Sequence, residues 1–289
     1  MTETDSNPDS DALGNVPGND EPSGSRSNDP GLLFNGLLEG RRGLIVGVAN
    51  HRSIAWGIAR RAHEQGAELA FTFQGDALER RVRPLAEGIG ADLILPLDVT
   101  SEDELDAVFA TLSERWGRLD FLVHSVAWAD REDLSGRTVD TSREGFLKAL
   151  EISAYSLLAL TRRAEPLMTH GGSIVAMTYH GSVKVLPNYN VMGIAKAALE
   201  ASVRYLASDL GEKNIRVNAI SAGPIKTLAS AGVSGMRGMM KTFAERAPLR
   251  RNVTTEEVGG SAVYLLSDLS SGTTGEIHYV DSGFNTIAL

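Results

Sequence analysis

The sequence predicts an α/β fold, a single doubly wound, Rossmann-type parallel sheet flanked by helices. From residue 37 onwards, short β-rich segments alternate with longer helical ones. Several strand segments are continuous apolar runs, such as Leu44-Ile45-Val46, which is typical of strands covered on both faces. Reactive and polar side chains follow the strand ends, the edge at which such sheets bind ligands.

Seven strands and the helices between them account for this alternation. The strands are predicted at Gly43–Ala49, Glu68–Phe73, Asp92–Leu97, Leu119–His124, Gly172–Thr178, Arg216–Ile220 and Glu276–Val280. Helical patterns lie near residues 54–65, 76–88, 101–116, 141–169, 189–210 and 255–267. Such an order indicates right-handed crossovers between parallel strands.

The N-terminal segment differs from the rest in composition. Residues 1–30 contain seven acidic residues and one basic residue, so they contribute −6 to the net charge of −9. They contain few large apolar residues and cannot bury enough surface to offset the entropy of ordering. We therefore predict a disordered acidic tail at residues 1–36 and one Rossmann-type domain at residues 37–289.

Composition excludes several classes of protein. The absence of cysteine excludes disulfides, thiolate metal sites and a cysteine nucleophile, and no metal site is predicted. Neither part of the chain has the basic footprint of a nucleic-acid binder. No apolar run is long enough to cross a bilayer, and the acidic N-terminus lacks an apolar signal core. We expect a cytoplasmic protein with no membrane or nucleic-acid partner.

The segment from Ile225 to Arg246 interrupts the alternation. It is too long for a strand-to-helix loop and too apolar for a linker. Its glycines and methionines fit a substrate-binding lid that closes on an apolar ligand. A helical insertion packed on the domain fits equally well.

Tyr189 and Lys196 are the candidate reactive pair. A helix is predicted to begin at about Tyr189, and seven residues at roughly 100° each place Lys196 on the same face, about 10 Å along the axis. A phenol and an ammonium together suit an oxygen that gains negative charge during a reaction. Apolar residues at three- and four-residue spacings, among them Val191, Ile194 and Tyr205, are expected to bury the other side.

The first strand-to-helix turn is the candidate phosphate site of a dinucleotide. Gly47 can form the tight turn, and Ser53 can cap the helix and donate to a phosphate. Gln74 ends the second strand, where an amide can bind a ribose but offers no charge to a 2′-phosphate, so NADH is favoured over NADPH. Arg80 and Arg81 lie close enough in sequence to keep NADPH open.

Asp98 and Val99 end the third strand. They could meet the amino group and the ring face of an adenine. An ordinary aspartate before the Ser101 helix cap explains the same residues equally well.

Together these motifs resemble the short-chain dehydrogenase/reductase superfamily and, within it, the bacterial enoyl-acyl carrier protein reductases. That branch has a Gly-x5-Ser turn, matched by Gly47 and Ser53, and Tyr-x6-Lys, matched by Tyr189 and Lys196. It has a second tyrosine ten residues earlier, matched by Tyr179. The runs PNYNVMGIAKAALE, NAISAGPIKTLA and VDSGF are similar to the branch as well, and the similarity covers residues 37–289.

The resemblance implies an NADH-dependent oxidoreductase of fatty acid biosynthesis that reduces a trans-2-enoyl thioester on acyl carrier protein, with hydride delivered to C3. It implies catalytic roles for Tyr179, Tyr189 and Lys196, and a homotetramer. The cofactor-binding residues that it implies, besides Lys196, are Gly47, Ser53, Ile54, Gln74, Asp98, Val99, Val126, Ile225, Lys226, Thr227, Leu228 and Ala229. Ala129 is implied to border the substrate.

The sequence departs from the branch after the fourth strand. Related sequences commonly have Gly-Phe-Ala-Pro where this chain has Ala127-Trp128-Ala129-Asp130, which could narrow the entrance beside the nicotinamide. Two other functions are compatible with the predicted fold. A short-chain carbonyl or alcohol dehydrogenase would use the same pair, but Tyr179 and the x6 spacing argue against it. A non-catalytic dinucleotide-sensing protein would not need both tyrosines and Lys196.

Overall fold

A computed structural model describes residues 36–228, 230 and 235–287. The predicted acidic tail, apart from Gly36, lies outside the described residues.

Seven parallel strands form one sheet. They are β1 (Arg42–Val46), β2 (Glu68–Phe73), β3 (Leu93–Pro96), β4 (Phe121–His124), β5 (Gly172–Thr178), β6 (Ile215–Ala222) and β7 (Ile277–Val280). Their order is β3-β2-β1-β4-β5-β6-β7. Val46 pairs with His124, and His124 pairs with Ala176, so β1, β4 and β5 end at one edge. The predicted doubly wound fold is confirmed.

Helices connect the strands. They are α1 (Ile54–Glu64), α2 (Gly75–Glu87), α3 (Glu102–Trp116), α4 (Arg143–Leu150), α5 (Ser156–Ala164), α6 (Asn190–Leu210), α7 (Met236–Arg246) and α8 (Thr255–Leu266). Within the described part of the chain, no helix combines the length and the apolarity that crossing a bilayer requires.

Helices cover both faces of the sheet. Leu44 of β1 belongs to a core cluster with residues of α3, α5 and α6, whereas the adjacent Ile45 belongs to a second cluster with residues of α1, α2 and α8. Leu122 and Val123 of β4 divide in the same way. Because successive strand side chains point to opposite faces, a sheet buried on both sides requires the continuous apolar runs seen in the sequence.

The region predicted as one helix at residues 141–169 has an interruption. A π-helical segment, Glu151–Tyr155, separates α4 from α5. The wider turn directs Ser156 toward the end of β4, where its hydroxyl lies 2.7 Å from Nε2 of the buried His124. Such π segments are frequent beside functional sites.

The buried face of α6 agrees only in part with the one that apolar spacing predicts. Val191 is fully buried, but Ile194 is 40% exposed and Tyr205 is 76% exposed. Lys196 and Glu200 lie in the buried face instead. The prediction for Ile194 and Tyr205 was wrong. The prediction assumed that the apolar side chains of α6 face the core, whereas the helix buries two charged side chains there.

In the segment at Ile225–Arg246, residues 236–246 form α7, as the helical alternative predicted. Phe243 of α7 is buried and stacks on Phe284 with ring centroids 3.6 Å apart. Residues 229 and 231–234 lie outside the described part.

Candidate active site

A cavity of about 880 Å³ opens at the carboxyl edge of the sheet. Its walls come from the ends of β1 to β6, from the first turns of α6 and from Met236 at the start of α7. Ligands of parallel α/β sheets bind at this edge. The described residues include no cluster of three histidine or acidic side chains that could hold a metal ion.

The turn after β1 forms one end of the cavity. Gly47 has φ +107°, and a Cβ there would lie 2.2 Å from the Ser125 carbonyl oxygen, so only glycine fits. Ser53 precedes α1 as predicted, but its hydroxyl does not accept from the helix. It accepts from the backbone N–H groups of Ala49 and Asn50 at 3.0 and 3.1 Å. Ser53 therefore shapes the turn, and its hydroxyl hydrogen has no acceptor among the described residues, so it can donate to a ligand.

Gln74 and Asp98 join the ends of β2 and β3. The Gln74 amide donates to the Asp98 carboxylate at 2.8 Å. Thr100 donates to the same carboxylate through its backbone N–H and its hydroxyl, at 2.9 and 2.7 Å. Burial alone would raise the pKa of Asp98, but these hydrogen bonds and the charge of Lys148 lower it. A carboxylate therefore stands beside Gln74, which disfavours a second anion there.

Lys196 lies at the opposite end of the cavity. It is 5% exposed, and its ammonium donates to the Met177 carbonyl oxygen at 2.7 Å. Burial lowers the pKa of Lys196 to about 8, and the Glu200 carboxylate opposes that shift. Burial and the positive charge of Lys196 lower the pKa of the nearby His124 to about 3, so this imidazole is neutral at physiological pH.

Tyr179 and Tyr189 face each other beside Lys196. Their ring centroids lie 5.2 Å apart at an interplanar angle of 71°, an edge-to-face contact. Burial raises the pKa of both phenols, so both are hydrogen-bond donors at neutral pH. The Tyr179 hydroxyl donates to the Met239 thioether at 3.1 Å.

Gly181 makes room for the Tyr189 ring, a role that sequence reasoning missed. A Cβ at Gly181 would lie 2.4 Å from Cδ1 of Tyr189. The glycine belongs to the short turn after β5, whereas Tyr189 directly precedes α6. The phenol therefore keeps its place through a contact that no sequence spacing indicates.

Trp128, in the departure from the family pattern, is held by two groups. The Ser153 hydroxyl accepts from the Trp128 N–H at 2.9 Å and donates to its carbonyl oxygen at 3.0 Å. The Lys148 ammonium lies 4.6 Å from the centroid of the indole, a cation–π contact. Lys148 and Trp128 both line the cavity. Sequence reasoning missed Lys148 and Ser153, since both lie in the interrupted helical region.

The cavity brings together most of the residues predicted for the site. Those that line it are Gly47, Ser53, Ile54, Gln74, Asp98, Val99, Val126, Ala129, Tyr179, Tyr189, Lys196, Ile225, Thr227 and Leu228. Lys226 is exposed and does not line the cavity, although its neighbours Ile225 and Thr227 do. Ala229 lies outside the described residues. Arg80 and Arg81, which kept NADPH open, are not among the lining residues.

A parallel sheet in the order 3-2-1-4-5-6-7, with a glycine turn after β1 and a cavity at its carboxyl edge, defines a Rossmann-type dinucleotide-binding protein. The family model described as "Enoyl-(Acyl carrier protein) reductase" matches residues 47–285. The chain belongs to this family.

Named relatives are similar over most of the chain. The NADH-type enoyl-[acyl-carrier-protein] reductase 1 of Rhizobium meliloti is 58% identical over 254 residues, 88% of this chain and 93% of its own length. The NADH-type FabI of Rickettsia prowazekii is 59% identical over 255 residues, 88% of this chain and 98% of its own length.

Two solved structures of named reductases are similar to this chain in fold and sequence. The reductase of Anaplasma phagocytophilum, in complex with NAD, has a TM-score of 0.86 and 52% identity and covers 88% of this chain and 97% of its own. The Bacillus cereus reductase was solved with NADP+ and indole naphthyridinone. It has a TM-score of 0.86 and 54% identity, and the match covers 88% of this chain and 99% of its own.

The contact of Gly181 with Tyr189 gives a stability prediction. Gly181→Ala is expected to lower the free energy of unfolding by about 1–3 kcal/mol, because the added methyl overpacks against the Tyr189 ring. Gly260→Ala is the control, since Gly260 lies in α8 with nothing within 4 Å of the position that its added methyl would occupy. Denaturant unfolding measures both variants. Equal unfolding free energies for the two would refute the contact.

Proposed function

We propose that this chain is an NADH-dependent enoyl-acyl carrier protein reductase of fatty acid biosynthesis. The observation that carries the proposal is the placement of two phenols and a buried ammonium on one wall of a cavity whose other end is a dinucleotide turn. The names of the relatives point to the same reaction.

The cavity fits a nicotinamide dinucleotide. Gly47 approaches Ser125 too closely for a side chain, which leaves the backbone of the turn open to a pyrophosphate, and the Ser53 hydroxyl can donate to that pyrophosphate. Gln74 can accept a hydrogen bond from the adenosine ribose, while its carboxylate neighbour Asp98 disfavours a 2′-phosphate. NADH is therefore the expected cofactor, and NADPH is less suited.

Tyr189 is proposed to act on the substrate oxygen. NADH, when bound, supplies the hydride that adds to C3 of the enoyl thioester. The thioester oxygen gains negative charge in that step, and the Tyr189 hydroxyl donates a hydrogen bond to it. Because burial raises the pKa of Tyr189, the phenol stays protonated and remains a donor.

Lys196 and Tyr179 are proposed to support that step. The Lys196 ammonium can hold the nicotinamide ribose hydroxyls and adds positive potential beside the developing charge. Tyr179 provides a second phenol at the same wall. Its present acceptor, the Met239 thioether, is a weak one that a substrate oxygen can replace.

An assay of NADH oxidation with a trans-2-enoyl-acyl carrier protein tests the function. Turnover is expected with NADH and at a lower rate with NADPH. Turnover of ketones alone would identify a carbonyl or alcohol dehydrogenase instead. NADH binding without turnover of any thioester would identify a dinucleotide-sensing protein.

Two variants in the same assay separate the proposed roles. Tyr189→Phe removes the donor and is expected to lower turnover by about 100-fold or more while NADH binding changes little. Lys196→Ala is expected to weaken NADH binding markedly. Small and equal effects of both changes would remove these roles.

The helix α7 is proposed to act as the substrate lid. Met236 lines the cavity, and the Met239 thioether accepts a hydrogen bond from the Tyr179 hydroxyl. Helix α7 therefore contacts the wall that carries Tyr179 and Tyr189. Hydrogen exchange in residues 236–246 is expected to slow when an enoyl thioester analogue and NADH are bound. Unchanged exchange there would argue for a fixed insertion.

A homotetramer is proposed from an apolar surface to which α4, α6 and the π-helical segment between α4 and α5 contribute. Leu147, Tyr155, Ile194 and Tyr205 are each at least 40% exposed on these elements. Contiguous exposed apolar patches usually mark an interface, and Leu147 and Tyr155 line one surface depression together with Ser202 of α6. Light scattering is expected to give four times the chain mass of 30.9 kDa. A single-chain mass would contradict the proposal.

The proposed partner is the acyl carrier protein that bears the substrate, and the proposed location is the cytoplasm. A chain without cysteine suits a reducing compartment. Cell fractionation tests the location, and recovery outside the cytoplasm would overturn it.

A further inference from the structure

Glu200 is a buried carboxylate that the proposed mechanism does not use. It lies on α6, one helical turn after Lys196, and is 5% exposed. The Thr178 hydroxyl donates to its Oε1 atom at 2.7 Å. Residues four apart on a helix share a face, with Cβ atoms roughly 5–6 Å apart, so Glu200 adjoins Lys196 in the interior.

The end of β5 holds this carboxylate and the ammonium through consecutive residues. The Met177 carbonyl oxygen accepts from Lys196, and the Thr178 hydroxyl donates to Glu200. One strand end therefore positions both members of the pair against α6. Tyr179, the next residue, faces Tyr189.

Among the described residues, Glu200 is the negatively charged group near Lys196. His124 faces it from β4 and is neutral, because burial lowers the pKa of that imidazole to about 3. Tyr179 and Tyr189 stay protonated, since burial raises the pKa of both phenols. Glu200 is the charged group that raises the pKa of Lys196 against the effect of burial.

The groups around Glu200 fit a counter-ion. Tyr189 at the start of α6, His180 in the turn after β5 and Tyr279 on β7 lie within its electrostatic range. Burial lowers the pKa of His180 and raises the pKa of Tyr279. The charges of Asp281 and Lys184 also act on His180, the first raising its pKa and the second lowering it. Lys196 is thus the buried cation adjacent to Glu200.

We propose that Glu200 is a positioning residue, the buried counter-ion that keeps Lys196 charged beside the cofactor. A cation taken out of water is stable only when a carboxylate or dipoles replace its hydration. The proposal rests on the proposed role of Lys196 in binding the nicotinamide ribose. In this proposal the charge state of Lys196 depends on Glu200, which does not line the cavity.

The pH dependence of NADH binding tests the proposal without requiring turnover. The Lys196 ammonium is present below its pKa and is lost as pH rises through it. Wild-type binding, followed by NADH fluorescence from about pH 6 to about pH 10, is therefore expected to weaken with a midpoint near 8. In Glu200→Gln the midpoint is expected to fall by about one pH unit or more.

Two variants serve as controls for this measurement. Asp209→Asn removes one negative charge from the exposed face of the same helix and is expected to leave the midpoint where it is. Glu200→Asp keeps the carboxylate, so its midpoint is expected to lie much closer to that of wild type than the midpoint of Glu200→Gln does. A midpoint for Glu200→Gln equal to that of wild type would overturn the proposal.

Lys196→Met separates this proposal from the proposed function. If Lys196→Met removes the pH dependence but Glu200→Gln leaves the midpoint unchanged, the counter-ion role is wrong and the role of Lys196 stands. If Lys196→Met leaves both NADH affinity and its pH dependence intact, the role of Lys196 is wrong.

A thermal measurement covers the case in which Glu200→Gln is poorly stable. That variant leaves an ammonium buried without its carboxylate, so its melting temperature is expected to fall. Adding Lys196→Met removes the ammonium and is expected to raise the melting temperature again. A double variant that melts no higher than Glu200→Gln alone would contradict the pairing.

Discussion

The organisation of the site depends on the burial of one cation, the ammonium of Lys196, under the carboxyl edge of the sheet. Its hydrogen bond to the Met177 carbonyl ties α6 to the end of β5. Removing a charge from water is costly unless polar groups replace the lost hydration. Strand end and helix must therefore meet in one arrangement, and that arrangement also sets the wall on which the phenols lie.

The low polarity of this buried region shifts the pKa values of neighbouring groups in opposite directions. It raises the pKa of Tyr179 and Tyr189 and lowers the pKa of Lys196 and His124. The result is a cavity wall with two protonated phenols and one ammonium, and a neutral imidazole buried within the electrostatic range of that ammonium. Burial favours the neutral form of every group. The Glu200 carboxylate opposes this effect at Lys196 and adds to it at Tyr189.

Much of the fold could be predicted from sequence. All seven strands were predicted, and the bounds of β2 and β5 agree with the structure, because both are apolar runs ended by polar residues. The region at residues 141–169 was predicted as one helix, since one extra residue in a turn hardly changes apolar periodicity. The buried face of α6 was wrong at Ile194 and Tyr205 for a related reason, because periodicity cannot show that charged residues are turned inward.

Local sequence patterns were enough to establish the order of strands and helices along the chain, the glycine turn after β1 and the spacing of Tyr189 from Lys196. These depend on residues within a few positions of one another. Three-dimensional packing was needed to show that Gly181 accommodates the Tyr189 ring, that Ser153 holds Trp128, that Thr178 bonds Glu200 and that Lys226 is exposed outside the cavity lining. Such contacts join different elements, and burial is set by how those elements pack, which no local pattern records.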